Sequence, residues 1–343
     1  RAWWHDRRET DRAWRVSASS IEERGYNLDI HNPRQCAAEV LGDVRDWQRQ
    51  YTALGERLRT LTGQVAEALV HTPDAERLVE QLDVLTADVA GVGCLRGLVL
   101  DLACRGRLVA ADGARVETAA SLVERVRGAS KAAPVSEGPP FALPEAWRWA
   151  RLEDVCGYIQ RGRGPRYAEL SDVPVVSQKC VQWSGFSLSR ARFIEPASLS
   201  KYHPERFLRA GDVLLNSTGM GTIGRVNVMP DLTDRFRHVV ADSHVTVLRP
   251  TLVAPRYMWA WLASPTVQDS IDRIATGTTK QTELGVSVVR ALWLPVAPRQ
   301  DQLRIVTKVD ALLDLCRALH EVLLERTRVA SRLGRALATD LTR

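Results

Sequence analysis

Asn216-Ser-Thr-Gly-Met-Gly-Thr-Ile-Gly-Arg225 gathers more polar chemistry than any other stretch of the chain. Gly219, Gly221 and Gly224 have the G-x-G-x-x-G spacing of a dinucleotide-binding turn, which needs a strand before it and a helix after it. Asp212-Val-Leu-Leu-Asn216 supplies the strand. Arg225-Val-Asn-Val-Met-Pro230 alternates apolar and polar residues and stops at a proline, which is strand behaviour. The unit reads as strand, polar glycine loop, strand. Free backbone N–H groups, the hydroxyls of Ser217, Thr218 and Thr222, the Asn216 amide and the Arg225 guanidinium are groups that contact phosphates and base edges.

Four further segments carry related chemistry. Ala275-Thr-Gly-Thr-Thr-Lys-Gln-Thr282 is a second polar glycine loop, with Thr278, Thr279, Lys280 and Gln281. Arg161-Gly-Arg-Gly-Pro-Arg-Tyr167 is basic, glycine-rich and ends on an aromatic, offering Arg161 and Arg163. Ser177-Gln-Lys-Cys-Val-Gln-Trp183 holds Gln178, Lys179 and Gln182, and glutamine pairs bidentately with adenine. Each also fits a plain surface turn or strand edge. Asp242-Ser-His244 has residue types of a hydrolase relay, but neighbouring strand residues face opposite ways, so a binding role suits His244 better. No Walker A motif, H-E-x-x-H, nuclease-type carboxylate cluster or Asn/Asp-Pro-Pro-aromatic methylase motif occurs, and no catalytic centre is found in the chain.

The elements that position these loops lie in a block over 145–298 of short alternating strands, at Val173–Ser177, Asp212–Asn216, Val226–Met229 and His244–Arg249, with one helix from about Pro255 to Ile274. Most of the chain's net charge of +6 falls in this block, which suits a polyanionic partner. Of the 47 basic residues nearly all are arginine, whose fork matches guanine and phosphate. The six cysteines are scattered, with no C-x-x-C, which argues against a disulfide framework or zinc site and fits a reduced cytoplasm. There is no long uncharged apolar run and no signal peptide, so no membrane association is expected.

Helical arms flank the block. Tyr51, Leu54, Leu58, Leu61, Val65 and Leu69 alternate spacings of three and four, and a second helix carries Leu78, Leu82, Leu85 and Val89 before a glycine-loosened stretch at Gly91 and Gly93. Leu312, Cys316, Leu319, Leu323, Ala330, Leu333 and Leu337 continue such a seam in one helix over 300–337, with Arg326 in a seam position. The fold expected is α+β, a mixed domain between long helices that pair as an antiparallel coiled coil. The domains expected are a tail at 1–42, with a short helix capped at Ser17, a helical region at 43–127, a Pro/Gly/Ser/Ala linker at 128–144, the mixed domain at 145–298 and a terminal helix at 299–343.

Ordered motifs over residues 75–343 resemble the specificity subunit of type I restriction–modification systems. Gly106-Arg-Leu-Val109 resembles the family's "GKLV" stretch, and Leu143-Pro-Glu-Ala-Trp-Arg-Trp-Ala-Arg-Leu152 the "PEGWEWVRL" start of a target-recognition domain. Asn216–Arg225, Ala241-Asp-Ser-His-Val245 and Thr276–Thr282 look like that domain's landmarks. Leu294-Pro-Val-Ala-Pro-Arg-Gln-Asp-Gln-Leu-Arg-Ile-Val306 resembles "PLPPLEEQRRIV" before the helical spacer, with Arg299 and Asp301 departing modestly. Residues 14–33 resemble instead the "W-x-V…YNLDIKNP" tail of the partner adenine methyltransferase, with His31 for lysine. Together with a first residue Arg1, this suggests a methylase–specificity fusion whose catalytic domain lies upstream.

The resemblance implies recognition of a bipartite double-stranded DNA site, directing N6-adenine methylation by a methyltransferase that carries S-adenosylmethionine, this chain holding no cofactor itself. It implies cleavage through a separate ATP-driven subunit. One recognition domain where the family has two implies a homodimer through the arms. The DNA contacts expected are Arg161, Arg163, Gln178, Lys179, Ser217, Thr218, Thr222, Arg225, His244, Thr278, Thr279, Lys280 and Gln281. Two alternatives stand: a helical scaffold of a DNA-defence complex that reads no sequence, and a part of a self-sufficient fused restriction–modification enzyme.

Overall fold

The computed structural model describes residues 14–23, 43–110, 119–121, 124, 138–169, 171–278 and 281–341, with backbone only for 276–278 and 281–282. The chain forms two compact units, Leu58–Leu323 and, separately, Arg1–Arg57 with Leu324–Arg343.

In the smaller unit the ends of two long helices, Val44–Leu69 and Arg299–Leu341, lie side by side. The guanidinium of Arg326 sits 4.6 Å from the Tyr51 ring and that of Arg332 5.1 Å from Trp47. Contacts that fall in one chain direction as they rise in the other define an antiparallel pair. Arg326, an outlier in an apolar seam, is accommodated because an aromatic face accepts a cation. The seam beyond Leu323 differs from the expected one: Val329 and Ala336 are buried, whereas Ala330 and Leu337 are exposed. Val322, Val329 and Ala336 repeat at seven residues, so the buried stripe shifts by one position after Leu323. Ahead of this unit's long helices, Ser17 caps helix Ala18–Glu23 by accepting from the Ser20 N–H at 3.1 Å.

In the larger unit, helix Val89–Cys104 is capped by Asp88, whose carboxylate accepts from Gly91 N at 2.7 Å. Gly91 lies inside that helix, where a Cβ would come within 2.8 Å of the Leu85 carbonyl oxygen. Close approach explains this glycine, and the loosened stretch expected there is helical. The helix expected over 255–274 is two, Pro255–Leu262 and Pro265–Ile274. Pro265 has no N–H to continue the first, and Ser264 precedes the second with extended backbone.

The core joins these helices to sheet. Trp149, Trp261, Trp293 and Phe141 meet edge to face at centroid distances of 5.0 to 6.3 Å. Buried polar tips find carbonyl partners: Tyr257 Oη donates to Pro295 O at 2.8 Å and Trp259 Nε1 to Val226 O at 3.0 Å. Strands Arg148–Arg151 and Trp293–Val296 pair antiparallel and bring the two ends of the sheet-bearing region together.

Two four-stranded sheets follow. The first is antiparallel, in the order Cys156–Arg161, Val245–Pro250, Val213–Asn216, Val226–Val228. The second runs Val240–Ala241, Pro174–Val176, Arg192–Ile194, Tyr167–Ala168, its first pair parallel. The first sheet is pinned to the loop at 204–212 by Arg249 and Asp212, bidentate at 2.7 and 2.8 Å. Asp212 is 1% exposed, and its Oδ2 also accepts from Arg209 N at 2.9 Å. Among the described residues no helix is long and apolar enough to cross a membrane.

Candidate nucleic-acid interface

The register of the first sheet decides where the polar loops go. Arg161 is opposite Thr246, Val245 opposite Asn216, and Leu215 opposite Val226. The end of one strand, the start of the next, the end of the third and the start of the fourth therefore lie at one edge. The segments at 161–167, 216–225 and 241–245 emerge there together. Ser217 N donates to His244 O at 2.9 Å, and Leu284 N to Ser217 O at 2.8 Å. This second bond brings in the hairpin Thr276–Thr278 and Gln281–Glu283. Thr279 and Lys280 lie outside the described residues, as do the side chains of Thr278 and Gln281.

The glycine loop joins two paired strands, so the helix of a dinucleotide turn is absent there. Gly219, Gly221 and Gly224 have φ of 101°, 69° and 82°, a region open to glycine and strained for other residues. The backbone N–H groups of Thr222 and Ile223 donate to Gly219 O, that of Gly224 to Asn216 O, and that of Arg225 to Thr222 O. The N–H groups at 222–225 are thus engaged inside the loop.

Its side chains are also committed. Ser217 is 0% and Thr218 3% exposed. The Ser217 hydroxyl bonds Thr246 Oγ1, and Thr218 Oγ1 lies 2.6 Å from His244 Nδ1. Both face inward, where outward hydroxyls were expected. Thr222 Oγ1 donates to Gln178 Oε1 at 3.0 Å. Arg225 donates to Gln182 Oε1 and, at 2.6 Å, to Gly221 O. Asn216 Nδ2 donates to the carbonyls of Gln178 and Val181 at 3.2 Å, and Asn227 Nδ2 to that of Gln182 at 2.6 Å. The segment at 177–187, with its hairpin Val181–Gln182 and Gly185–Phe186, is thereby bonded onto the glycine loop as one unit.

Arg161 likewise turns inward, donating to Glu283 Oε1 at 2.6 Å and to Leu284 O at 3.0 Å. It fastens the 276–284 hairpin to the sheet edge instead of presenting a free cation. Asp242 Oδ1 accepts the backbone N–H of His244 at 2.9 Å, so no carboxylate–imidazole relay is formed. Burial pushes the Asp242 carboxyl above its ordinary pKa, against the opposing pull of that hydrogen bond and of His244.

Exposed groups are fewer and differently chosen. Arg163 and Lys179 are exposed. Arg166, Arg192 and Lys201 are also exposed. Arg163 NH1 reaches Lys201 O at 3.4 Å, and Arg192 stacks 3.6 Å from the Tyr167 ring. Met220 and Trp183, 72% and 39% exposed, stand at the tips of the two bonded loops. Arg166, Arg192, Lys201, Trp183 and Met220 are not among the expected contacts, although Arg166, Trp183 and Met220 lie in the segments singled out for them. An apolar side chain between two glycines was the available signal for Met220, whereas the Arg192 and Lys201 positions depend on the second sheet's pairing.

No family model matches the chain. It is 22% identical over 282 residues to the type I restriction enzyme EcoEI specificity subunit of Escherichia coli, a match covering 76% of this chain and 46% of that protein. It is 23% identical over 286 residues to the EcoAI specificity subunit of the same organism, covering 72% of this chain and 44% of that one. The chain thus spans less than half the length of these relatives. The HsdS subunit from Thermoanaerobacter tengcongensis aligns at 18% identity with a TM-score of 0.42, covering 77% of this chain and 57% of that one. At this low identity the chain is similar to the specificity subunits of two type I restriction enzymes.

Proposed function

We propose that this chain recognises duplex DNA in a sequence-specific manner, as the target-recognition part of a type I-like restriction–modification enzyme. The observation that carries the reading is the convergence of the segments at 161–167, 178–183, 216–225, 241–245 and 276–284 at one sheet edge. Arg163 and Lys179 would neutralise phosphates and give register, and base edges would be read by Thr278, Thr279, Lys280 and Gln281. Ser217, Thr218, Thr222, Arg225, Gln178 and Arg161 support that surface through their own bonds. His244 orients the loop through Thr218.

Methylation of adenine N6 would belong to a methyltransferase domain carrying S-adenosylmethionine. The 14–33 segment supports a fused arrangement with that domain. The one loop with cofactor-turn spacing, Gly219–Gly224, fits the methyl donor poorly, since its N–H groups at 222–225 are bonded internally and a strand follows it. Restriction would need a separate ATP-driven subunit. With one recognition domain per chain, two chains joined through the helical arms in the cytoplasm would read two half-sites, and a two-fold protein pairs with a palindromic split site. The test is the adenine methylome of the host with and without the full gene. Loss of one split palindromic adenine motif is expected. An unchanged methylome, with expression verified, overturns the methylation role, and an asymmetric motif overturns the homodimer.

A further inference from the structure

The glycine loop has an exposed group that its polar chemistry does not explain. Met220 is the most exposed large hydrophobic described between residues 58 and 323, at 72%. It sits between Gly219 and Gly221, both in the left-handed region. Those glycines turn the chain so that the side chain between them points off the tip. The tip is held from below. Thr222 N and Ile223 N bond Gly219 O, Arg225 bonds Gly221 O, and a Cβ on Gly219 would come within 2.5 Å of both Gln178 Oε1 and Thr222 Oγ1. The loop is thus held by its N–H groups at 222–225 and by the side chains of Thr218, Thr222 and Arg225, and it presents one unbranched apolar side chain at its tip. Exposed Lys179 lies next to Gln178 in the segment bonded to this loop, a cation beside the tip that suits a polyanion.

We propose that Met220 is covered by the base pairs of bound duplex, as an apolar contact in the groove. Apolar side chains reach DNA in two ways, by packing on thymine methyl groups in the major groove and by wedging between base steps. Both give the same chemistry, removal of the Met220 side chain from water. The inference rests on the DNA-recognition reading and adds a residue to it.

The experiment uses the full chain and a fluorescent duplex that the chain itself has enriched from a randomised pool. Wild type must first bind that duplex better than a scrambled one; if it does not, the recognition reading fails, and the Met220 contact with it. Given discrimination, Met220→Ala and Met220→Gln are expected to weaken the enriched duplex by about 10- to 100-fold, the scale of a buried methionine. Met220→Leu should lose less than about tenfold, as volume-conserving apolar swaps do. The salt slope should not change, because no phosphate contact is lost. Replacing thymines by deoxyuridine should copy the Met220→Ala loss if methyl groups are touched, and duplex bending measured by energy transfer should fall if a wedge is removed. Wild-type affinity and discrimination in Met220→Ala and Met220→Gln would overturn the proposal. An exposed tip residue leaves the melting temperature unchanged, which separates the effect from misfolding.

Discussion

Arg161 and Arg163 stand two residues apart in one basic loop, and the structure turns the first inward and leaves the second exposed. Replacing Arg163 and Lys179 together by glutamine removes two exposed cations. Each cation that neutralises a phosphate of B-DNA contributes about 0.9 to the slope of log K against log salt, so the pair contributes about 1.8. Between about 50 and about 200 mM salt, wild type should therefore lose about 12-fold more affinity than the double variant. Arg161→Gln is expected to leave the slope alone, since that guanidinium is engaged by Glu283 Oε1 at 2.6 Å and by Leu284 O at 3.0 Å. Its loss should instead loosen the 276–284 hairpin and lower the melting temperature. Anisotropy titrations of a fluorescent duplex at four or so salt concentrations, with thermal melts of the same preparations, measure both quantities. The reasoning is refuted if Arg161→Gln flattens the slope as much as the double variant, or if the double variant keeps the wild-type slope.

Three other substitutions test the supports beneath that surface. Gly219→Ala must place a Cβ at φ of 101° against Gln178 and Thr222, and should cost about 1–3 kcal/mol, read by chemical denaturation, together with loss of site preference. Arg249→Met leaves the buried Asp212 carboxylate without its bidentate partner, and about 3–5 kcal/mol of stability should be lost. Asp242→Asn keeps an oxygen acceptor for the His244 N–H and removes a buried charge. Because the Asp242 pKa is raised on folding, the folded state holds that proton more tightly than the unfolded chain. Wild-type stability then falls as pH rises through the window between the two values. Asp242→Asn should gain most over wild type at neutral pH, and the gain should shrink on acidification; a gain that grows in acid would contradict the assignment.

The sequence was informative wherever a local rule had a single outcome. Period-two alternation ending at Pro230 excludes a helix after Gly224, and the strand is there. The Arg299–Leu341 helix follows from its heptads, although the shift of its buried stripe to Val329 and Ala336 does not, because the partner face that selects it is far away in sequence. The break at Pro265 has a local cause, a proline with no N–H to continue the preceding helix, which a single helix over 255–274 leaves out of account. The loops were legible as candidates, but their meeting at one edge depends on a strand order in which Val245–Pro250 lies between Cys156–Arg161 and Val213–Asn216. That order also decides which groups point in. Ser217 and Thr218 look like any exposed hydroxyls in a polar loop until Thr246 and His244 are brought beside them. Arg161 looks like Arg163 until Glu283, more than a hundred residues on, is found against it.

The central claim is that this chain distinguishes one duplex sequence from another. Its most direct test is selection of randomised duplexes by the purified 343-residue chain at near-physiological salt, with sequencing of the retained pool. The account predicts enrichment of a defined motif, bound at least about 1000-fold more tightly than scrambled duplex, the lower end of specific recognition. A retained pool as random as the input, bound with one salt-dependent affinity throughout, would contradict it.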